Sequence, residues 1–110
     1  GDIISDLASG LVGGLGVTSG ANIGNKYAVF EAVHGSAPDI AGQGKANPTA
    51  LLFSALMMLK HLNLNEQHDV IRAAALKALA DPEVRTADLG GNGTTQTFTE
   101  AICANIQASA

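Results

Sequence analysis

Two aspartates near the beginning of the chain have the spacing of a metal-ligand pair. Asp2 and Asp6 are four positions apart in a segment with helical periodicity, which places both carboxylates on one helix face, about one turn apart. Hard divalent cations such as Mg²⁺ or Mn²⁺ prefer carboxylate oxygens. The spacing alone favours a simpler interpretation, in which both acids interact with the positive end of the helix dipole.

A second candidate site is the loop over residues 34–39, with the sequence His-Gly-Ser-Ala-Pro-Asp. It directly follows a predicted strand and offers backbone N–H groups, one imidazole and one carboxylate, a combination that suits a nucleotide. The whole connection, residues 34–46, is thirteen residues long, and structureless connections of that length are commonly functional. An ordinary tight turn with a surface or core histidine explains the same residues, and the spacing does not separate the two interpretations.

The glycines of residues 10–16 and the single cysteine are better explained by structural roles than by a binding or catalytic role. Residues 10–16 read Gly-x-x-Gly-Gly-x-Gly, but they close a predicted helix, whereas a dinucleotide-binding fingerprint opens a helix after a strand. We interpret them as helix-terminating glycines. Cys103, the single cysteine, has no base near it in the sequence and lies beside an apolar stripe, which predicts a buried and unreactive thiol.

Four predicted helices and two predicted strands must position these segments. The expected N-caps of the helices are Asp2, Asn47, Asn65 and Thr97, with Glu100 completing a capping box for the last helix. The first three helices are expected to end near residues 12, 61 and 80. The predicted strands cover residues 15–23 and 27–33.

The helices differ in how much of their surface is apolar. The first carries a wide stripe formed by Ile3, Ile4, Leu7 and Leu11, and the second is apolar on nearly every face. The third has a single stripe and is predicted to lie at the surface, with His68 exposed in its first turn. The first two helices present more apolar surface than 110 residues can cover. In isolation the chain is therefore expected to be insoluble, molten or oligomeric.

The composition excludes several classes of partner. The chain has 110 residues, 46% of them hydrophobic and 15% charged, which is enough apolar material for one globular core. A formal net charge of −4 without a basic run disfavours nucleic acid, and the longest apolar stretch, residues 50–59, is too short to span a membrane. A single cysteine, with no cysteine–histidine cluster, excludes an internal disulfide and a structural zinc site.

Several long strings are similar to the C-terminal part of one enzyme family. They are residues 1–9 (GDIISDLAS), 30–42 (FEAVHGSAPDIAG), 46–52 (ANPTALL) and 85–91 (RTADLGG). On these strings the sequence resembles the isocitrate and isopropylmalate dehydrogenase family, and within it most the mitochondrial NAD-dependent isocitrate dehydrogenases. The resemblance implies an α/β fold, with residues 1–110 as a C-terminal fragment of a large twisted mixed sheet with flanking helices.

The resemblance also implies which residues form the site. Asp2 and Asp6 match the family's metal-ligand pair, which binds Mg²⁺ or Mn²⁺. Asp39 and Ile40 stand where NADP-dependent relatives have Lys and Tyr, which implies that the cofactor is NAD. The positions that match the adenosine-binding part of the NAD site are His34, Gly35, Ser36, Ala37, Asp39, Ile40, Asn47 and, as a further contact, Asp88.

The implied reaction is the metal-dependent oxidative decarboxylation of isocitrate to 2-oxoglutarate, with hydride transfer to NAD. The implied location is the mitochondrial matrix, or the cytoplasm for a bacterial member, and the implied assembly is a homo- or hetero-oligomer that forms through the first helix. The family's substrate-binding arginines and its catalytic Tyr and Lys are expected before Gly1, so residues 1–110 alone are expected to be inactive.

Two alternatives remain open at this point. An isopropylmalate dehydrogenase would use the loop over residues 35–47 equally well. A non-catalytic regulatory subunit of a hetero-oligomeric isocitrate dehydrogenase is the other possibility. Such subunits tend to lose the metal aspartates and to alter the loop, and this chain retains both.

Overall fold

The computed structural model describes residues 1–109, apart from the side chain of Asp2. Within this part of the chain, four α-helices accompany a two-stranded antiparallel sheet. The helices are α1 (Asp2–Leu11), α2 (Thr49–His61), α3 (Asn65–Ala80) and α4 (Thr95–Ser109), and the strands are β1 (Ser19–Ile23) and β2 (Ala28–Ala32). Two short 3₁₀ turns cover Pro38–Ile40 and Ala87–Leu89. The predicted α/β class and the number of helices and strands are confirmed.

The two strands form a hairpin in which Ser19 lies opposite Ala32 and Ile23 lies opposite Ala28. The N–H of Gly24 donates to the carbonyl of Tyr27 at 2.8 Å and closes the turn. β1 begins later than predicted because residues 14–18 form a tight turn instead of a strand. The N–H groups of Val17 and Thr18, and the hydroxyl of Thr18, all donate to the carbonyl of Gly14.

A buried serine joins α2 to both strands of the hairpin. The side chain of Ser54 is fully buried, and its Oγ donates to the carbonyl of Glu31 at 2.6 Å. The same oxygen accepts the N–H of Gly20 at 3.3 Å. Because a buried hydroxyl needs partners, these bonds satisfy Ser54 and also hold α2 at a defined position on the sheet.

The hydrophobic core lies between α3 and α4, with α2 packed against it. Its buried members are small alanines on α3 and larger side chains on α4, which are Ala74, Ala75, Ala78, Phe98 and Ile102. The small alanines allow the two helix backbones to approach closely, and the aromatic ring of Phe98 fills the space between them. The predicted apolar stripe of α3 is therefore the face that meets α4.

Each of the four predicted N-caps differs by one or more positions from the residue found at the start of its helix. Gly1, not Asp2, is the N-cap of α1, and no side chain caps that helix. Asn65 is the first residue of α3 and follows the cap residue Leu64. Pro48 is the residue before α2, and Asn47 lies one position earlier, although its Oδ1 accepts the N–H of Thr49 at 3.0 Å.

The capping box of α4 lies one turn earlier than predicted. Thr94 Oγ1 accepts the N–H of Thr97 at 3.1 Å, and Thr97 Oγ1 accepts the N–H of Thr94 at 2.8 Å. Glu100 instead accepts a hydrogen bond from Gln96 at 2.8 Å, within the helix. The helix begins earlier because the N–H of Thr95 donates to the distant carbonyl of Gly44, which fixes the position of its first turn.

Two expectations about burial are also corrected. Cys103 is exposed, because it follows the buried Ile102 by one residue and a helix turns by about 100° per residue, which points it away from the core. His68 was predicted to be a surface residue, but its side chain is only 16% exposed. Its ring lines a cleft between α2 and α3, and its Nδ1 lies 2.8 Å from Oδ1 of Asp69.

α1 carries its apolar stripe on the outside of the molecule. Ile3, Ile4, Leu7 and Leu11 are between 65% and 87% exposed, and within residues 1–109 the helix packs against no other helix or strand. Gly13 follows the helix with a φ of +71°, which agrees with the prediction of helix-terminating glycines. Among the described helices, none combines the length and the hydropathy that a membrane crossing requires.

Candidate functional site

The loop over residues 34–46 encloses a cavity of about 640 Å³ together with three other segments. These segments are the turn after α1, the 3₁₀ turn Ala87–Leu89 and the start of α4. Seven of the eight positions that were predicted to bind adenosine line this cavity, namely His34, Gly35, Ser36, Ala37, Ile40, Asn47 and Asp88. The eighth, Asp39, is exposed in the turn Pro38–Ile40 and does not line it.

The cavity also contains residues that the sequence reasoning did not assign to the site. They are Leu15, Gly16, Ala41, Gly42, Gly44, Lys45, Ala46 and Thr95. Leu15 was predicted to begin the first strand, and Gly16 was predicted to be one of the helix-terminating glycines. Nothing in the local sequence indicates that either residue lines a cavity. Gly42 and Gly44 lie within the loop itself, so its glycine content was the available signal.

The loop keeps its shape through left-handed backbone and through hydrogen bonds to α4. Gly42 and Gly44 have φ values of +74° and +65°, and Ala37 has a φ of +44°. The carbonyl of Gly44 accepts the N–H of Thr95 at 2.8 Å, and the carbonyl of Ala46 accepts the hydroxyl of the same threonine. The start of α4 therefore holds the end of the loop.

Asn47 and Asp88 meet at the wall of the cavity although they are 41 positions apart in the sequence. Asn47 Nδ2 donates to Oδ2 of Asp88 at 2.9 Å. Oδ1 of Asp88 accepts the hydroxyl of Thr86 at 2.5 Å, and Oδ1 of Asn47 accepts two hydrogen bonds from Thr49. The four side chains form one hydrogen-bonded chain that links the start of α2 to the loop before α4.

Gly16 lies directly against this pair. A Cβ at position 16 would be 2.7 Å from Oδ2 of Asp88 and 3.2 Å from Cβ of Asn47, both closer than ordinary contact. The carbonyl of Gly16 also accepts the N–H of Ala50 at 3.0 Å, in the first turn of α2. Glycine at this position is therefore what permits Asn47 and Asp88 to approach each other beneath the turn after α1.

The walls of the cavity combine apolar and charged groups. Leu15, Ile40 and several alanines and glycines provide apolar surface for a planar base, while Lys45 provides a positive charge for a phosphate group. His34 is exposed, and its Nδ1 lies 2.9 Å from the carbonyl oxygen of Gly35. The cavity is thus large enough, and has the right mixture of groups, for the adenosine part of a dinucleotide.

The predicted metal ligands lie on α1, separate from these residues in sequence. Asp6 is partly buried, and the side chain of Asp2 lies outside the described residues. No three histidine, cysteine, aspartate or glutamate side chains of the described part of the chain come together as a cation site. Asp6 has the carboxylate chemistry that Mg²⁺ or Mn²⁺ requires, but the described residues do not complete a coordination shell.

A second cavity of about 280 Å³ lies between α2 and α3, with Lys60, His68 and Arg72 among its lining residues. These basic groups lower the pKa of the neighbouring Asp69. The hydrogen bond from His68 is the largest cause, and the charges of Lys60, His68 and Arg72 add to it. The cavity contains none of the predicted site residues.

The sequence is similar to known proteins over nearly its whole length. A profile described as isocitrate/isopropylmalate dehydrogenase matches residues 1–102. The chain is 60% identical over 107 residues to a mitochondrial catalytic subunit of NAD isocitrate dehydrogenase from Arabidopsis thaliana, covering 96% of the chain and 29% of that protein. It is 52% identical over 110 residues to a mitochondrial regulatory subunit of NAD isocitrate dehydrogenase from Dictyostelium discoideum, covering 99% of the chain and 31% of that protein.

The fold comparison agrees with the sequence comparison. The crystal structure of isocitrate dehydrogenase from Methylococcus capsulatus matches with a TM-score of 0.85 at 47% identity, covering 96% of this chain and 32% of that one. The chain therefore spans about 30% of the length of the relatives that it matches.

Proposed function

Because the chain belongs to the isocitrate/isopropylmalate dehydrogenase family, we propose that it provides the adenosine-binding wall of the NAD site and part of the metal site in an NAD-dependent isocitrate dehydrogenase. The full reaction is the oxidative decarboxylation of isocitrate to 2-oxoglutarate. The location is the mitochondrial matrix, as the names of the similar proteins from Arabidopsis thaliana and Dictyostelium discoideum suggest.

The observation that carries this proposal is the shared cavity. Residues that are far apart in the sequence, from Leu15 to Thr95, line one space of about 640 Å³, and seven of the eight predicted adenosine contacts are among them. The cavity brings together a glycine-rich loop, an amide, a carboxylate and one lysine. A nucleotide-binding site explains this combination better than an ordinary tight turn does.

Within this site each residue has a distinct task. The apolar side chains of Leu15 and Ile40 exclude water from a bound base, and Lys45 balances the charge of the pyrophosphate. Asn47 and Asp88 orient the adenosine through hydrogen bonds. When NAD is bound, it supplies the hydride acceptor; the residues of this chain hold it in position and do not take part in the hydride transfer.

The metal site follows from the aspartate pair of α1. Asp2 and Asp6 would contribute carboxylate ligands to Mg²⁺ or Mn²⁺, with substrate oxygens and water as further ligands. When bound, the metal acts as a Lewis acid on the oxygens of the substrate. The partial burial of Asp6 supports this role, since it lowers competition from solvent without removing the carboxylate from reach.

The test uses the full-length enzyme that contains this sequence, with isocitrate, NAD and Mn²⁺ as reactants. Asp2→Asn and Asp6→Asn should each raise the Mn²⁺ concentration needed for half-maximal rate at least tenfold and lower kcat/KM, because each removes a charged ligand. Glu66→Gln, a change on α3 far from the aspartate pair in sequence, serves as the control and should change neither value. If both aspartate variants keep the wild-type Mn²⁺ dependence, the metal assignment is wrong.

The same assay separates the remaining candidates. Faster turnover of isopropylmalate than of isocitrate would assign the chain to the other branch of the family. A regulatory role is supported by the 52% identity to the regulatory subunit from Dictyostelium discoideum. In that case the full-length protein would bind NAD or isocitrate but would not oxidise isocitrate without a second subunit.

A further inference from the structure

The orientation of the Asn47 side chain is decided by its neighbours. Oδ1 of Asn47 accepts the backbone N–H of Thr49 at 3.0 Å, and a backbone N–H can only donate. The hydroxyl of Thr49 donates to the same oxygen at 2.6 Å. The amide nitrogen must therefore be the atom that faces Asp88, to which it donates at 2.9 Å.

The two threonines at the ends of this chain of hydrogen bonds are buried behind the cavity. Thr49 is completely buried, and Thr86 is 1% exposed. Neither lines the cavity, whereas Asn47 and Asp88 both do. Each threonine therefore acts through the side chain that it holds, Thr49 through Asn47 and Thr86 through Asp88.

The hydrogen bonds that remain available determine what this pair can recognise. Oδ1 of Asn47 already accepts two hydrogen bonds, so the one group left free is the second N–H of its amide. Asp88, as a carboxylate, can only accept. Towards the cavity the pair thus offers one donor and one acceptor, in a fixed order.

We propose that Thr49 and Thr86 are positioning residues that set the preference of this site for adenine. The proposal rests on the proposed function, in which the cavity binds the adenosine of NAD. On its Watson–Crick edge adenine presents N1 as an acceptor and its 6-amino group as a donor, which complements the donor of Asn47 and the acceptor of Asp88. Hypoxanthine presents the reverse order, with N1–H as a donor and O6 as an acceptor.

The experiment compares NAD with nicotinamide hypoxanthine dinucleotide as cofactors of the full-length enzyme. The measured quantity is the ratio of the two kcat/KM values. Thr86→Val keeps the shape of the side chain but removes the hydroxyl that holds Asp88, so the preference for NAD should fall about tenfold or more while kcat at saturating NAD stays within about threefold. Thr86→Ser restores a hydroxyl and should restore the ratio.

Two further variants make the test decisive. Asp88→Asn keeps the size of the side chain and removes the anionic acceptor, so it should also lower the preference for NAD, whether or not Thr86→Val folds. Thr99→Val is the matched control, because Thr99 is exposed on α4 and its hydroxyl bonds only to the carbonyl of Thr95 one turn earlier. It should leave the ratio unchanged.

The outcomes separate this inference from the proposed function. If the Thr86→Val and Asp88→Asn enzymes use NAD but keep the wild-type ratio, or lose affinity for both dinucleotides equally, the inference is wrong and the NAD site stands. If the wild-type enzyme neither binds nor reduces either dinucleotide, the proposed function itself is wrong, and this inference is lost with it.

Discussion

Replacement of Gly16 by alanine tests the geometry of the cavity wall most directly. The new Cβ would lie 2.7 Å from Oδ2 of Asp88, where ordinary contact begins at 3.4 Å. It would also lie 3.3 Å from Nδ2 of Asn47. Since the backbone at Gly16 is held by its hydrogen bond to Ala50, the side chain of Asp88 is the group that must move.

The size of the effect follows from these distances. Asp88 Oδ2 must retreat by about 0.7 Å, which can stretch its 2.9 Å hydrogen bond with Asn47 beyond the range in which a bond persists. In the proposed site the displaced Asp88 would also lose its hydrogen bond to the bound adenosine, and a hydrogen bond to a charged group contributes about 1.5–3 kcal/mol, which corresponds to a loss of about 10- to 160-fold in affinity. The free energy of unfolding should fall by no more than about 1–2 kcal/mol, because Asp88 is exposed and can turn aside.

The assay is steady-state kinetics of the full-length enzyme with NAD as the varied substrate, together with calorimetric unfolding. Gly16→Ala should raise the KM for NAD about tenfold or more, with little change in kcat. Gly10→Ala is the control, because a Cβ at position 10 has nothing within 4 Å and alanine favours a helix. An unchanged KM for NAD in Gly16→Ala would refute the assignment of Asn47 and Asp88 to the cofactor site.

Three further predictions concern other parts of the chain. Asp39→Lys combined with Ile40→Tyr should raise the NADP-to-NAD ratio of kcat/KM, because the charge that would repel a 2′-phosphate is replaced by one that attracts it; an unchanged ratio would contradict the cofactor assignment. Leu7→Glu on the exposed face of α1 should shift the full-length enzyme to smaller species in sedimentation experiments, and an unaltered distribution would exclude that face as a subunit contact. His68→Phe should raise the pKa of Asp69 towards its usual value, because it removes the hydrogen bond that lowers this pKa; NMR titration of the carboxyl group measures it. In the wild-type protein this interaction stabilises the fold at a pH above the usual pKa of aspartate. The stabilisation is lost as the pH falls through the lowered pKa of Asp69.

Much of the local structure could be predicted from the sequence, because it depends on residues that are close together along the chain. The ends of α1, α2 and α3 at residues 11, 61 and 80 lie within one residue of those expected from the apolar periodicity, and glycines follow α1 while Asp81-Pro82 follows α3. The hairpin and the cap at Asn47 likewise involve residues within a few positions of each other. The apolar face of α1 was also predicted, and its exposure agrees with the expectation that the first two helices carry more apolar surface than 110 residues can cover.

At some positions the sequence was compatible with two local structures, and long-range contacts determined which of them forms. Both Thr94 and Thr97 can begin a helix, and the bond from Thr95 to Gly44 selects the earlier start. The burial of His68 and the exposure of Cys103 depend on which neighbour each helix face meets, a matter that periodicity alone leaves undecided.

The sequence by itself predicted which chemical groups the candidate site offers, since the types of the loop residues and of Asp2 and Asp6 do not depend on the fold. The tertiary structure alone decided that Gly16, Asn47 and Asp88 touch, and that a buried threonine stands behind the carboxylate. The physical reason is that these contacts join positions tens of residues apart. A hydrogen bond of that kind forms only after the helices have packed and brought its two partners within about 3 Å of each other.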